Sequence, residues 1–326
     1  MNFIKNEDGA ALLSVLLLVS VMSAAMVATF DELGLFTKNV VSRSENYQAE
    51  QFAHAAEIVG ANQAVKLSQN QKLAALMGID DDRQKVTFPI DGGTVNGALT
   101  EYSNCFNLNS LVTVNNADGY EINQIGFRQY IQLLKELGIG DIQAQSLAAA
   151  LVDWQDSDDR PMQSGAESFS YSQADVPYSA ANYPISELNE LRLVRGYTPD
   201  LIKALANVAC VDPLSMETVV NLNSLLPDQA LFIRALLGAE YPLEALRSII
   251  EERPSAGYDN VARFWNNPLL KDKEIDNRIR KQFQVSAKRY KLSIDVNYLN
   301  ARISRQSVIL IKNDGTYELI SRAAGA

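Results

Sequence analysis

The run from Ala10 to Phe30, AALLSVLLLVSVMSAAMVATF, carries no charged residue. A helix of that length covers roughly 30 Å, the hydrocarbon thickness of a bilayer. Gly9 stands directly before it, and a short charged leader precedes Gly9. After Asp31 the composition is that of a water-exposed body. The chain is therefore predicted to begin with one apolar helix and to place a large body beyond it. Three readings of the stretch compete. A secretory signal peptide has a shorter apolar core and a small-residue cleavage site, for which Ser23-Ala24-Ala25 is a weak match. A plain signal anchor is the simplest reading. The third is a prepilin-type leader, cut between Gly9 and Ala10, with the apolar helix retained in the mature chain.

The charge balance narrows the partners. The net charge is −10 and the pI is near 4.8, which argues against nucleic acid, because phosphate binding needs a basic face. Lys5 is the one basic side chain before the helix, and Asp31 and Glu32 follow it, a pattern that favours export of the body. Two cysteines are present, Cys105 and Cys210. In an oxidising compartment they read as one disulfide; otherwise they are two buried thiols.

Along the chain, apolar residues at helical spacing (Phe52, Ala56, Val59; Ile58, Ala61, Val65) continue the helix to about Leu76. His54, the single histidine, lies on it and reads as a surface or packing residue. Short strands flank Asp91-Gly92-Gly93. Then the segment FNLNSL (Phe106–Leu111) returns as VNLNSL (Val220–Leu225), and a set of helices follows each copy. Helices are predicted over 126–137, 141–152, 185–193 and 198–208, and again over 227–237, 242–252, 260–265 and 271–282. This reads as a diverged duplication of a small helical unit. Alternating strands follow from Phe283, with a hairpin turn at Asn313-Asp314-Gly315. The predicted fold class is α+β: a long N-terminal helix on an antiparallel sheet, with a large helical insertion between strands.

One loop is chemically suggestive. From Asp153 to Asp175, the residues Asp156, Asp158, Asp159 and Glu167 gather hard oxygen donors. Ca²⁺ takes about six to eight such oxygens, counting carbonyls and water. The spacing is not that of an EF-hand. The plain alternative is a solvated acidic loop. A third reading is a membrane-anchored hydrolase with paired carboxylates as acid and base, although no serine, cysteine or histidine arrangement accompanies them.

Taken in order, several pieces of the chain carry a resemblance. They are Gly9 before the apolar helix, Phe106-Asn107-Leu108-Asn109, Leu151-Val152-Asp153-Trp154-Gln155-Asp156-Ser157-Asp158 and Gly165-Ala166-Glu167. Pro177-Tyr178, Ala180-Ala181-Asn182 and the run Glu187 to Gly196 continue it. Over nearly its whole length the chain resembles the minor pseudopilin K family of the bacterial type II secretion system (GspK). The resemblance implies cleavage after Gly9 by a prepilin peptidase, with methylation of Ala10. It implies a single-pass start in the bacterial inner membrane and a periplasmic body. It implies a pseudopilin fold divided into a leader (1–9), an assembly helix (10–30), helix and first strands (31–111), two SAM-like units (112–215 and 216–282) and closing strands (283–326). It further implies structural calcium at the Asp156 loop, and a complex with minor pseudopilins I and J at the tip of the pseudopilus shaft, starting assembly for export across the outer membrane. Most pilin-like subunits place glutamate at the fifth residue of the mature helix; here Ser14 occupies it. A buried carboxylate needs a compensating cation from a neighbour, and a subunit that nothing precedes does not require one. That fits a cap better than a shaft subunit, and argues against a minor pilin of a type IV pilus.

Overall fold

The computed structural model describes residues 8–69, 85–117, 119–312 and 314–324. Helix α1 runs unbroken from Asp8 to Gln69, 62 residues, or roughly 90 Å. The expected continuation over 70–76 lies outside the described residues, as does Asn313 of the predicted hairpin turn. Gly9 and Ala10 fall in the first turn of α1. From Leu12 the helix is long and apolar enough to cross a membrane, and its most apolar window is wholly exposed.

The second half of α1 is short-sided where it meets the body. Ala49, Ala53, Ala61, Ala64 and Leu67 are buried at helical spacing, and small side chains let the helix axis approach a sheet closely. That sheet has five strands in the order β1-β2-β9-β10-β11, all antiparallel. Strands β1 (Val86–Ile90) and β2 (Gly93–Glu101) precede the helical region; β9 (Arg289–Tyr298), β10 (Ala301–Ile311) and β11 (Tyr317–Ala324) follow it. Tyr290, Leu292, Ile294 and Val296 alternate inward along β9, as a half-buried strand requires.

Charge fixes the helix on the sheet as well as apolar area. Glu57 of α1 is buried. It accepts hydrogen bonds from Ser307 and from Arg322, whose Nη2 stands 2.5 Å from Oε2. Burial alone pushes its carboxyl up, but Arg322, Ser307 and Arg305 outweigh that and hold it below the ordinary range.

Residues 103–288 form an insertion between neighbouring strands. Glu101 pairs with Tyr290 in the ladder, and Tyr102 N–H donates to Arg289 O at 2.9 Å. The insertion thus leaves and re-enters the sheet at one spot. Its first unit contains β3 (Phe106–Asn107), a 3₁₀ turn over Leu108–Leu111, and a hairpin of β4 (Val112–Val114) and β5 (Tyr120–Ile122). Helices α2 (Gln124–Glu136), α3 (Asp141–Gln155), α4 (Ser168–Tyr171) and α5 (Pro199–Leu205) follow, then β6 (Ala209–Cys210). The second unit runs from β7 (Val220–Asn221) through α6 (Ala230–Leu237), α7 (Leu243–Glu251), α8 (Val261–Trp265) and α9 (Asn277–Arg280) to β8 (Phe283–Gln284). One continuous apolar core joins both.

Two expectations need correction. The helix predicted over 271–282 forms only at Asn277–Arg280, and the one predicted over 185–193 is a 3₁₀ turn at Leu188–Leu193. Asp276, not Lys271, caps the first, its side chain accepting from Arg278 N–H. The hairpin of β4 and β5 is only three residues a strand and has no alternation long enough to read.

The duplicated hexapeptide has the same job in both copies. Each copy starts with a two-residue parallel bridge to the end of its own unit: β3 to β6, and β7 to β8. The two asparagines then tie the turn. Asn107 Oδ1 accepts from Asn109 N–H (3.2 Å) and Asn221 Oδ1 from Asn223 N–H (3.1 Å). Asn109 Nδ2 donates to Ile185 O (2.9 Å) and Asp212 O (3.0 Å); Asn223 Nδ2 donates to Tyr258 O (3.0 Å) and Val285 O (2.8 Å). In the first unit Gly126 lies against this turn, where a Cβ would stand 1.9 Å from Ser110 O. The first closure is also covalent, since Cys105 and Cys210 are disulfide-bonded across 105 residues. In the chain-entropy account such a loop closure contributes about 4–5 kcal/mol. Replacing Asn223 by alanine removes the side-chain donor from two carbonyls; replacing Asn109 removes it from Ile185 O and Asp212 O, the latter keeping Ser215 N–H, and a buried acceptor left unpaired costs about 1–3 kcal/mol. Each substitution is expected to lower unfolding free energy by about 2–4 kcal/mol in denaturant melts, and the effects of the two should be similar; a loss below about 0.5 kcal/mol in either would contradict the shared role.

Candidate cation site

The carboxylate loop follows α3 directly. Its last turn buries Asp153, Gln155 and Asp156. Asp153 spends its oxygens locally: Met162 N–H donates to Oδ1 (3.1 Å) and Oδ2 (3.2 Å). This curls the loop back over the helix end and brings Gly165 onto the carboxylate. A Cβ there would sit 2.0 Å from Asp153 Oδ2, so only glycine fits. Arg195 closes the curl from outside, donating through Nη2 to Ser164 O (3.0 Å) and to Gly165 O. Ser164 and Asn182 are both held at positive φ, 68° and 48°, a conformation that side chains other than glycine seldom take.

The curl turns Glu167 inward. Glu167 is buried and caps α4, accepting from Ser168 N–H through Oε2 (3.3 Å). Its other oxygen, Oε1, is buried without a hydrogen-bond partner, and so is Asp156 Oδ1. The amide oxygens of Gln155 and Asn182 share that condition. An unpartnered buried acceptor costs free energy, and this loop and its flank carry four of them. Asp158 and Asp159 are exposed, and Asp158 Oδ1 accepts from Arg160 N–H (2.8 Å). Both add negative field without entering the buried layer.

Electrostatics registers the crowding. Desolvation first, then the charges of Asp153, Asp158 and Glu167, push Asp156 up to about 7. Desolvation, then Asp153, with Asp159 and Asp158 behind, push Glu167 up to about 7. Asp153 is raised by burial, partly offset by the Met162 and Ala166 N–H groups. Both Asp156 and Glu167 gain a proton more readily folded than unfolded, so their contribution stabilises below the unfolded carboxylate range and is lost as pH rises.

The donor set is hard oxygen throughout, the chemistry of Ca²⁺ sites. Among the described residues, no three carboxylate, imidazole or thiol groups converge as a ready ligand set, so an ion here would also draw on amide, carbonyl or water oxygens. Of the four carboxylates read from sequence, Asp156 and Glu167 are brought into one buried layer, and Asp158 and Asp159 are not. The orphaned Asn182 and Gln155 oxygens and the Gly165 contact are not readable from an acidic-residue count. The signal that pointed near them was the clustering of glycine, alanine and glutamate at 165–167.

Comparison with known proteins places the whole chain. Two models of the family described as type II secretion system (T2SS), protein K, match residues 104–214 and 220–286. The type II secretion system protein K of Klebsiella pneumoniae is 29% identical over 322 residues, covering 98% of this chain and 97% of that protein. That of Aeromonas hydrophila is 31% identical over 259 residues, 78% of each. Among solved structures, a chain of the GspK-GspI-GspJ complex from the enterotoxigenic Escherichia coli type 2 secretion system superposes with a TM-score of 0.71 at 25% identity, covering 88% of this chain and 99% of that one.

The loop's pH response is open to test. In the presence of a chelator, the melting temperature is expected to fall as pH rises from about 4 through about 7. Asp156→Asn with Glu167→Gln should flatten that fall, and an equal fall in the double variant would refute the assignment. By sequence, fold and architecture, the chain belongs to the protein K family of the type II secretion system, whose members are structural pseudopilins and not enzymes.

Proposed function

We propose that this chain is the capping subunit of a pseudopilus. In this reading α1 sits in the bacterial inner membrane as a single span, with the body on the periplasmic side, until a prepilin peptidase cuts between Gly9 and Ala10. The mature helix then leaves the bilayer among the helices of I- and J-type pseudopilins, and the trio starts the shaft. The observation that carries the reading is the likeness of nearly the whole chain to a chain solved together with GspI and GspJ. Two features of the chain support it. The apolar surface of α1 is exposed along its first half, so that half has surface for a bilayer or for other helices. The insertion is large beside the five-stranded sheet, a poor shape for repeated stacking and an acceptable one for an end.

The cation site belongs to the same proposal as a structural element. Asp156 and Glu167 would supply its charged oxygens, with the Asn182 and Gln155 amide oxygens nearby. When bound, Ca²⁺ supplies positive charge that offsets the mutual repulsion of the carboxylates. The chain's own residues orient the loop: Asp153 curls it, Arg195 pins it, and Gly165 leaves room.

Two experiments test these statements. Co-expressed with I- and J-type pseudopilins and a prepilin peptidase, the full chain should co-purify as a ternary complex, and its intact mass should correspond to a start at Ala10. Recovery of the chain alone would count against the capping role. Separately, calcium added to the chelated full chain at pH 8 should raise its melting temperature by several degrees. If Asp156→Asn with Glu167→Gln leaves that rise intact, the site is elsewhere.

A further inference from the structure

The turn at Asn107–Asn109 touches two things at once. On one side is the disulfide-bonded exit strand. Cys105 precedes β3, and Cys210 ends β6. Asn107 Oδ1 accepts from Asp212 N–H (3.1 Å), and Asn109 Nδ2 donates to Asp212 O (3.0 Å), two residues beyond Cys210. On the other side is the carboxylate loop. Gln155 Nε2 donates to Leu108 O (3.3 Å), and the residue after Gln155 is Asp156. Asn109 Nδ2 also donates to Ile185 O (2.9 Å), in the segment that follows Asn182. Asn107, Leu108, Asn109, Gln155 and Asp156 are all buried.

We propose that the Cys105–Cys210 disulfide and cation binding at the Asp156–Glu167 loop are coupled through this corner, each favouring the other. This rests on the calcium reading above. With the thiols free, the exit strand is kept beside β3 by a two-residue bridge, the asparagine hydrogen bonds, the Tyr102 hydroxyl on Val211 O and the Arg289–Asp212 ion pair, with no covalent link. Opening there carries away Leu108 O, the acceptor of the buried Gln155 amide, and with it the support of Asp156. In the other direction, a loop whose buried carboxylates repel one another resists the closure that brings the cysteines together. A cation removes that resistance. The redox step is ordinary exchange: the two thiols give up two protons and two electrons to a small disulfide such as oxidised glutathione, the S–S bond forms, and the reagent leaves as two thiols. By linkage, the factor by which calcium raises the disulfide's equilibrium constant is the factor by which the disulfide raises calcium affinity. The closed first unit is then reached in full only on the oxidising side of a membrane.

The test uses the full chain in detergent micelles. It is equilibrated in reduced and oxidised glutathione with calcium or with a chelator, and free thiols are trapped with a maleimide and counted by gel shift. Calcium bound to the oxidised chain is measured separately by equilibrium dialysis. Calcium is expected to raise the disulfide equilibrium constant about tenfold, within the usual range of coupling between sites. Asp156→Asn with Glu167→Gln should abolish the shift. Asn107→Ala, which removes the acceptor of Asp212 N–H and leaves every oxygen of the loop in place, should keep calcium binding by the oxidised chain but reduce the shift below about threefold. Calcium binding with an unchanged equilibrium constant overturns the coupling and leaves the site standing. No calcium binding overturns the site and the coupling together. A full shift in Asn107→Ala overturns the route through the corner.

Discussion

The ends of the helical insertion must meet at hydrogen-bonding distance, because β2 and β9 are antiparallel neighbours. Everything between residues 103 and 288 is built under that condition. The ladder is intact up to Glu101 opposite Tyr290, so any slack has to be taken up inside the insertion. Each unit therefore closes on itself before the chain moves on, with a two-residue parallel bridge at its mouth and an asparagine spanning two carbonyls behind it. Long-range closure is entropically costly. Splitting it into two successive closures, the first of them covalent, keeps each cost local.

That logic also explains what could be read from the sequence. The apolar run and the uninterrupted helical spacing after it announced α1 to within the described residues, because periodicity over so many residues has few rivals. The hexapeptide repeat pointed to two units because its asparagines are not interchangeable: each satisfies a fixed set of buried backbone groups. The strands of the sheet were visible as alternation in 290–298. By contrast, α9 and the 3₁₀ turn at Leu188–Leu193 were read as longer helices, since apolar spacing alone cannot tell where a cap such as Asp276 starts the helix.

The carboxylate loop was legible in kind and not in detail. A run of acidic residues says that negative charge gathers; it does not say which oxygens go inside. Asp156 and Glu167 are inside because Asp153 bends the backbone and Gly165 admits the bend. Asp158, one residue from two exposed neighbours, instead serves a local turn to Arg160. The distinction depends on contacts between residues about ten positions apart, beyond any short motif. The neutral acceptors of Gln155 and Asn182 were hidden for a different reason: an amide is a common surface residue, and only its burial makes it notable.

The shared doorway of the insertion has one more implication. Since the chain departs after Tyr102 and returns at Arg289, directly across the ladder, the pairing of β2 with β9 asks of the insertion that its two ends be adjacent, and side-chain contacts at the doorway, Arg289 with Asp212 and Asn221 with Glu101, add to that. A short turn satisfies that geometry as well as a pair of helical units does. The body is thus a helix-and-sheet subunit with an appendage grafted between two neighbouring strands, and away from the doorway the appendage can change in size and sequence without altering the ladder below it.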